Sequence, residues 1–133
     1  MTRIVIIGDG PAGYEAALVA AQYGAAVSLI DSDGIGGACV LFDCVPSKTF
    51  IASTGIRTDM RRAADLGVRL ESAGVALPEV NTRVKSLARA QSADIRTKLE
   101  AAGVQLLSGR GELIDTQVGM AAHQVRADLF TGE

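Results

Sequence analysis

Two sets of residues in this sequence have the types and spacing to do chemistry. The first is Gly8-Asp9-Gly10-Pro11-Ala12-Gly13, which fits the pattern G-x-G-x-x-G. Glycines at that spacing let main-chain N–H groups approach a phosphate with no Cβ in the way. The second is Cys39 and Cys44, the chain's two cysteines, with Val40, Leu41, Phe42 and Asp43 between them. Two thiols this close can form a redox pair, bind a metal, or pack as small apolar side chains.

The glycine loop takes its meaning from its context. It follows the apolar, β-branched run of residues 3–7 and precedes a small-residue helical stretch, Ala12 to Tyr23. Gly8 permits a sharp exit from the strand, Gly10 lets backbone meet a pyrophosphate, and Gly13 lets helix and sheet pack closely. The helix N-terminus then offers unpaired N–H groups and partial positive charge to the phosphates. Asp31 stands 18 residues beyond Gly13, near the roughly 20 expected for a carboxylate that bonds a ribose hydroxyl. A capping or turn aspartate is the plainer role, but strand, loop, helix, strand and acid together favour a dinucleotide. NAD and FAD share this arrangement, so the loop does not choose between them.

The cysteines are less decisive by themselves. Zinc would need four ligands, and His123 is the sole histidine, far along the chain, so no metal site is expected. In a regular helix, residues five apart have Cα atoms roughly 8–9 Å apart. A disulfide needs about 4.4–6.8 Å, so a bridge requires a distorted turn leading into a helix. A helix opening near Pro46 would put Cys44 at its N-terminus, where the dipole favours thiolate and lowers the pKa from about 8.5. Spacing alone leaves a redox pair and two buried small hydrophobes evenly matched.

The elements that must position these groups read as an α/β scaffold. With 133 residues the chain allows one domain with a real core, and 48% hydrophobic content is too high for disorder. A net charge of −2 and 4% aromatic residues give no basic patch or stacking set for nucleic acid or an anionic membrane. The run Ile4-Val5-Ile6-Ile7 is too short and too early for a membrane span or a signal peptide, so a soluble, cytoplasmic protein is expected. Residues 3–7 read as a parallel strand, Gly24 closes the first helix, and a second strand runs from Ala26 to Ile30, which makes a βαβ unit. Ser32 to Cys44 lacks periodicity and is expected to be a loop, followed by a helix from near Pro46 to about Asp65. Gly67 to Ala76 reads as irregular or weakly extended. Pro78 opens a longer helix with Val80, Val84, Leu87, Ile95, Leu99 and Ala102 on one face and Gly103 as its cap. Val104 to Leu107 reads as a strand, Gly109-Arg110-Gly111 as a turn, and residues 112–130 as a pair of short strands. A doubly wound sheet usually needs more strands, and Thr131-Gly132-Glu133 is a turn-like ending, so an incomplete chain is expected.

The segment Gly36-Gly37-Ala38-Cys39-Val40-Leu41-Phe42-Asp43-Cys44-Val45-Pro46-Ser47-Lys48 resembles a redox signature, G-G-T-C-x-x-x-x-C-[IV]-P-[ST]-K. It belongs to the FAD-dependent pyridine nucleotide–disulfide oxidoreductases, and the two motifs stand in that family's order and spacing. The resemblance covers essentially the whole chain as the N-terminal part of a Rossmann-type FAD-binding domain, truncated here. It implies that the dinucleotide is FAD, with Gly8, Gly10, Pro11, Ala12 and Gly13 around its pyrophosphate and Asp31 at the ribose. Gly37 and Ala38 would line the flavin side, Lys48 would lie near the isoalloxazine ring, and Gly111 would sit beside the adenosine. By the family's mechanism, NAD(P)H reduces the flavin and the flavin reduces a Cys39–Cys44 disulfide. Cys44 would form the charge-transfer thiolate, and Cys39 the thiol that attacks a disulfide substrate.

This sequence also departs from the family pattern. Ala38 replaces the usual Thr, and Asp43 puts a negative charge beside Cys44 that opposes thiolate formation. Gly-Tyr-Glu-Ala-Ala at 13–17 and Val-Pro-Ser-Lys-Thr-Phe-Ile-Ala-Ser-Thr at 45–54 look most like an actinobacterial branch that reduces quinones with NAD(P)H. The family's NAD(P)H-binding motif and its dimerisation domain, with a His-Glu pair donated across the dimer, do not occur in residues 1–133. His123 does not match that pair and is expected to have no catalytic role. The resemblance therefore implies a homodimeric NAD(P)H oxidoreductase acting on a small disulfide. The alternatives are a quinone reductase whose flavin passes electrons directly, and a non-catalytic flavin-binding module.

Overall fold

The structure is a computed structural model and describes residues 1–69, 74–114 and 123–130. Strand β1 (Arg3–Ile7) leads through the glycine loop into α1 (Pro11–Gln22), and β2 (Ala26–Asp31) follows. Then come α2 (Gly37–Leu41), α3 (Cys44–Arg62) with a 3₁₀ turn at Ala63–Leu66, α4 (Leu77–Ala101), β3 (Gln105–Leu113) and β4 (Val125–Leu129). The described strands form one sheet in the order β1-β2-β3-β4. β1 pairs parallel with β2 (Ile4 opposite Val27), β2 parallel with β3 (Leu29 opposite Leu106), and β3 antiparallel with β4 (Gly111 opposite Ala127).

One face of the sheet is covered by α1 and α4. Ala17, Val27, Leu29, Ile35, Val40, Ile95, Leu99 and Val104 make the buried cluster, with Ile6, Leu18 and Leu106 packed on it. The strand residues alternate as the period-2 geometry requires, with Val27 and Leu29 pointing into the helices. The small residues of α1 let its axis come close to the sheet, and Ala17 is fully enclosed. Both long crossovers end on positive-φ glycines, Gly24 at 79° and Gly103 at 77°. The Ala25 N–H returns to the Ala20 carbonyl at 3.1 Å, and the Val104 N–H to the Leu99 carbonyl at 3.0 Å. Those six-to-one closures stop each helix and turn the chain back into the sheet.

Three expectations need correction. The stretch expected to be a loop up to Cys44 contains α2, a five-residue helix too short to show a periodicity. Gly109-Arg110-Gly111 is not a turn but the middle of β3. A Cβ on Gly111 would lie 2.9 Å from the Ile7 side chain, and one on Gly109 would run into the Asp128 carbonyl, so these glycines serve close approach rather than chain reversal. The stripe expected on α4 holds at Val80, Val84, Ile95 and Leu99 and fails at two places: Ala88 is buried where Leu87 is 40% exposed, and Ala102 is exposed. The irregular stretch after Gly67 and the strands expected over 112–130 fall partly, and Thr131-Gly132-Glu133 wholly, outside the described residues.

Candidate functional site

The loop after β1 has the geometry its glycines predict. Gly8 takes φ 94°, and its N–H donates to the Ile30 carbonyl at 2.8 Å, so the chain leaves the sheet sharply. A Cβ on Gly13 would collide with the Gly8 carbonyl, which only glycine avoids. The first helical bond of α1 runs from the Tyr14 N–H to the Gly10 carbonyl at 3.1 Å. Pro11 has no N–H to satisfy, and the Ala12 and Gly13 amides are left without partners inside the helix. Gly8, Gly10, Pro11, Ala12 and Gly13 line an open cleft of about 450 Å³. That combination of free amides, helix N-terminus and missing Cβ atoms fits a pyrophosphate.

Asp31 closes the loop from the end of β2. One of its oxygens accepts the Asp9 N–H at 3.0 Å, and the other accepts the N–H groups of Asp33 at 2.6 Å and Gly34 at 3.0 Å. It therefore does the turn-forming work of an aspartate as well as standing where a ribose-binding acid is expected. Oδ2 accepts a single bond and keeps acceptor capacity for a hydroxyl. Asp31 also lines a cavity of about 110 Å³ with Asp9, Ile35 and Ser108. Gly111 is not among the residues lining it; it lies against Ile7 instead.

The second glycine cluster seats the cysteines on the first. Gly36 and Gly37 have φ of 95° and 58°, and a Cβ on Gly37 would lie 3.0 Å from the Gly10 Cα and 3.1 Å from the Gly10 nitrogen. The start of α2 is thus packed backbone to backbone against the glycine loop. The Ser92 hydroxyl of α4 donates to the Ile35 carbonyl at 2.6 Å and ties this segment down from the other side. Ala38 is exposed at the start of α2, and Cys39 follows it, half-buried. The helix then breaks: the Ala38 carbonyl takes the N–H groups of both Phe42 and Asp43 at 2.9 Å, and Cys44 begins α3. This break takes the chain out of the regular helical path between Cys39 and Cys44.

In the structure both thiols are free and half-buried, and they interact with each other. The Cys44 thiol is pushed up from its ordinary pKa, first by its hydrogen bond with Cys39, then by desolvation and by the charge of Asp43. Lys48, exposed one turn further along α3, pulls the other way. The expected lowering at a helix N-terminus is therefore outweighed by the immediate neighbours. A cleft of about 750 Å³ opens between α3 and α4 beside Asp43, lined by Phe42, Pro46, Phe50, Leu77 and Val84. His123 stands exposed two residues ahead of β4.

One residue of consequence was missed in the sequence. Asp9, the variable position of the glycine motif, is fully buried, and neither of its carboxylate oxygens has a hydrogen-bond partner among the described residues. The signal was available: an acid stood inside a loop read as a cradle for anions.

A βαβ dinucleotide fold joined to a paired-cysteine helix start defines a class, and comparison with known proteins agrees. The model of the pyridine nucleotide-disulphide oxidoreductase family matches residues 2–128, and the chain belongs to that family. It is 58% identical over 99% of its length to an NAD(P)H dehydrogenase (quinone) of Mycobacterium tuberculosis, covering 28% of that protein. It is 32% identical over 84% of its length to a dihydrolipoyl dehydrogenase of Acholeplasma laidlawii, covering 33% of it. The crystal structure of LpdA from M. tuberculosis superposes with a TM-score of 0.86 at 58% identity, over 97% of this chain and 28% of that one. The chain thus spans between a quarter and a third of the length of these relatives. Among the described residues no helix is long and apolar enough to cross a membrane.

Proposed function

We propose that residues 1–133 form the N-terminal part of the FAD-binding domain of a cytoplasmic, homodimeric NAD(P)H oxidoreductase, whose NAD(P)H-binding and dimerisation domains lie outside them. The observation that carries this reading is the contact of Gly37 with Gly10, which sets the cysteine helix start directly against the dinucleotide loop. FAD, when bound, supplies two-electron transfer between a nicotinamide and a second acceptor. The amides of Ala12 and Gly13 hold its pyrophosphate at the α1 N-terminus, with Gly8, Gly10 and Pro11 shaping the approach. Oδ2 of Asp31 takes a ribose hydroxyl, Gly37 and Ala38 border the ring-bearing end, and Lys48 places a positive charge near it. Gly111, whose missing Cβ makes room for the Ile7 side chain, would stand on the adenosine side.

Cys39 and Cys44 then serve as the exchange pair. As a disulfide they accept two electrons and become two thiols. The Cys39 thiolate attacks a substrate disulfide and releases one substrate thiol. Cys44 attacks the resulting mixed disulfide at the Cys39 sulfur, releases the second thiol and restores the pair. A small-molecule disulfide of lipoamide type is the substrate class this implies.

A second reading has an observation in its favour. The upward push on Cys44 from Cys39 and Asp43 works against a stable thiolate, and the cleft between α3 and α4 is apolar enough for a quinone. Direct reduction of a quinone would bypass the cysteines, and the M. tuberculosis relative is named for a quinone. Cys39→Ser in the full-length protein separates the two. Loss of disulfide reduction with retained quinone turnover is expected if the exchange pair serves disulfides alone. Disulfide reduction that survives Cys39→Ser would overturn the exchange mechanism. A charge-transfer band at long wavelength on two-electron reduction, absent in Cys44→Ser, is its spectroscopic counterpart.

A further inference from the structure

Asp9 is a buried carboxyl that the mechanism above does not use. It shares a cavity with the Asp31 carboxylate at the end of β2 and stands one residue before Gly10, where the pyrophosphate is expected. Its side chain is fully enclosed, and among the described residues neither carboxylate oxygen has a hydrogen-bond donor. The Gly37 amide, and less so that of Gly36, lies near enough to favour the charged form slightly, but neither makes a directed hydrogen bond. Together with Asp31 it faces the 110 Å³ cavity, which α4 lines with Arg96 and β3 with Ser108. Among the described residues that line the cavity these are the charged groups: Asp31 repels an ionised Asp9, and Arg96 lies 3.6 Å from Glu100. Among the described residues no cation donates a hydrogen bond to the Asp9 carboxyl, and a dinucleotide would bring a further negative charge to the same loop.

We propose that Asp9 makes dinucleotide binding proton-linked: the loop accepts a dinucleotide pyrophosphate only when the Asp9 carboxyl is neutral, so that binding takes up a proton. The inference rests on the reading of the loop as an FAD site. A neutral carboxyl can donate its proton to Asp31 and remove one of two facing charges, whereas an ionised one sets three anions around Gly10. The titration falls in a useful range, because burial first and then the adjacent Asp31 carboxylate raise the Asp9 pKa to about 7. A ligand that binds one protonation state loses apparent affinity in proportion to the fraction of that state.

The test is flavin affinity against pH. The full-length apoprotein is reconstituted with FAD between pH 6 and pH 8, and binding is read from quenching of flavin fluorescence. Wild-type protein is expected to weaken by about tenfold across that range, the fall in the neutral fraction of a group titrating near 7. Asp9→Asn, which keeps the shape and cannot ionise, is expected to bind at every pH as wild type does at pH 6. Asp9→Gly is the second variant and is expected to be equally flat. A flat wild-type profile overturns the proposal and leaves the FAD site standing, and so does a slope that Asp9→Asn retains. Failure of all three proteins to bind FAD at any pH removes the FAD reading and this inference with it.

Discussion

Gly37→Ala tests whether the two motifs are truly one structure. The residue sits at φ 58°, where a Cβ costs about 1–2 kcal/mol by its crowding of the carbonyl. That Cβ would also stand 3.0 and 3.1 Å from two backbone atoms of Gly10, which are held by the turn out of β1 and cannot rotate away as a side chain could. Overpacking against such a neighbour adds about 1–3 kcal/mol. The sum, about 2–5 kcal/mol, is to be read as a lowered urea midpoint of the full-length apoprotein, with weakened FAD retention because the displaced atoms belong to Gly10. Gly55→Ala is the control: it lies in α3 with nothing within 4 Å of an added Cβ, and helix propensity predicts a gain of about 1 kcal/mol. If Gly37→Ala matched wild type within about 0.5 kcal/mol and held FAD as well, the close contact would carry no weight in the argument.

The remaining predictions concern the core, the thiols and the loop. Leu99→Ala removes a fully enclosed side chain between α4 and the sheet, and should cost about 2–5 kcal/mol in equilibrium unfolding. Asp43→Asn removes one of the causes that raise the Cys44 pKa, so alkylation of Cys44 at pH 8, followed by mass spectrometry, should accelerate; Lys48→Met should slow it. Opposite directions would place the controlling charges elsewhere. Ser92→Ala takes the donor from the Ile35 carbonyl and should cost about 1 kcal/mol in urea unfolding. Asp9 is raised from 3.8 to about 7, so the folded state holds its proton more tightly than the unfolded chain does. Its contribution to stability is complete below the unfolded value and is lost as pH rises through about 7. The urea midpoint of Asp9→Asn apoprotein should lack the part of the wild-type decline that falls in that window.

The sequence by itself determined the parts whose physics is local. A β-branched run, three glycines at fixed spacing, alternating small residues and an acid at a strand end specify β1, its loop, α1 and Asp31, because each depends on backbone freedom and short-range periodicity. The family resemblance was equally legible, and the family model matches residues 2–128. Tertiary structure decided the rest. Whether Gly109 and Gly111 reverse the chain or admit a neighbour depends on where Ile7 and Asp128 end up, and no local pattern contains that. Which residue of the middle of α4 is buried, Ala88 rather than Leu87, was decided by the packing of the neighbouring elements and not by the helical period alone. The balance at Cys44 was likewise fixed by which charges and thiols the folded chain brings beside it, since electrostatic shifts depend on distance and burial rather than on residue order. Asp9 is the sharpest case: the same carboxyl would be an ordinary surface acid on an exposed turn, and enclosure beside Asp31 makes it a group that titrates near neutrality.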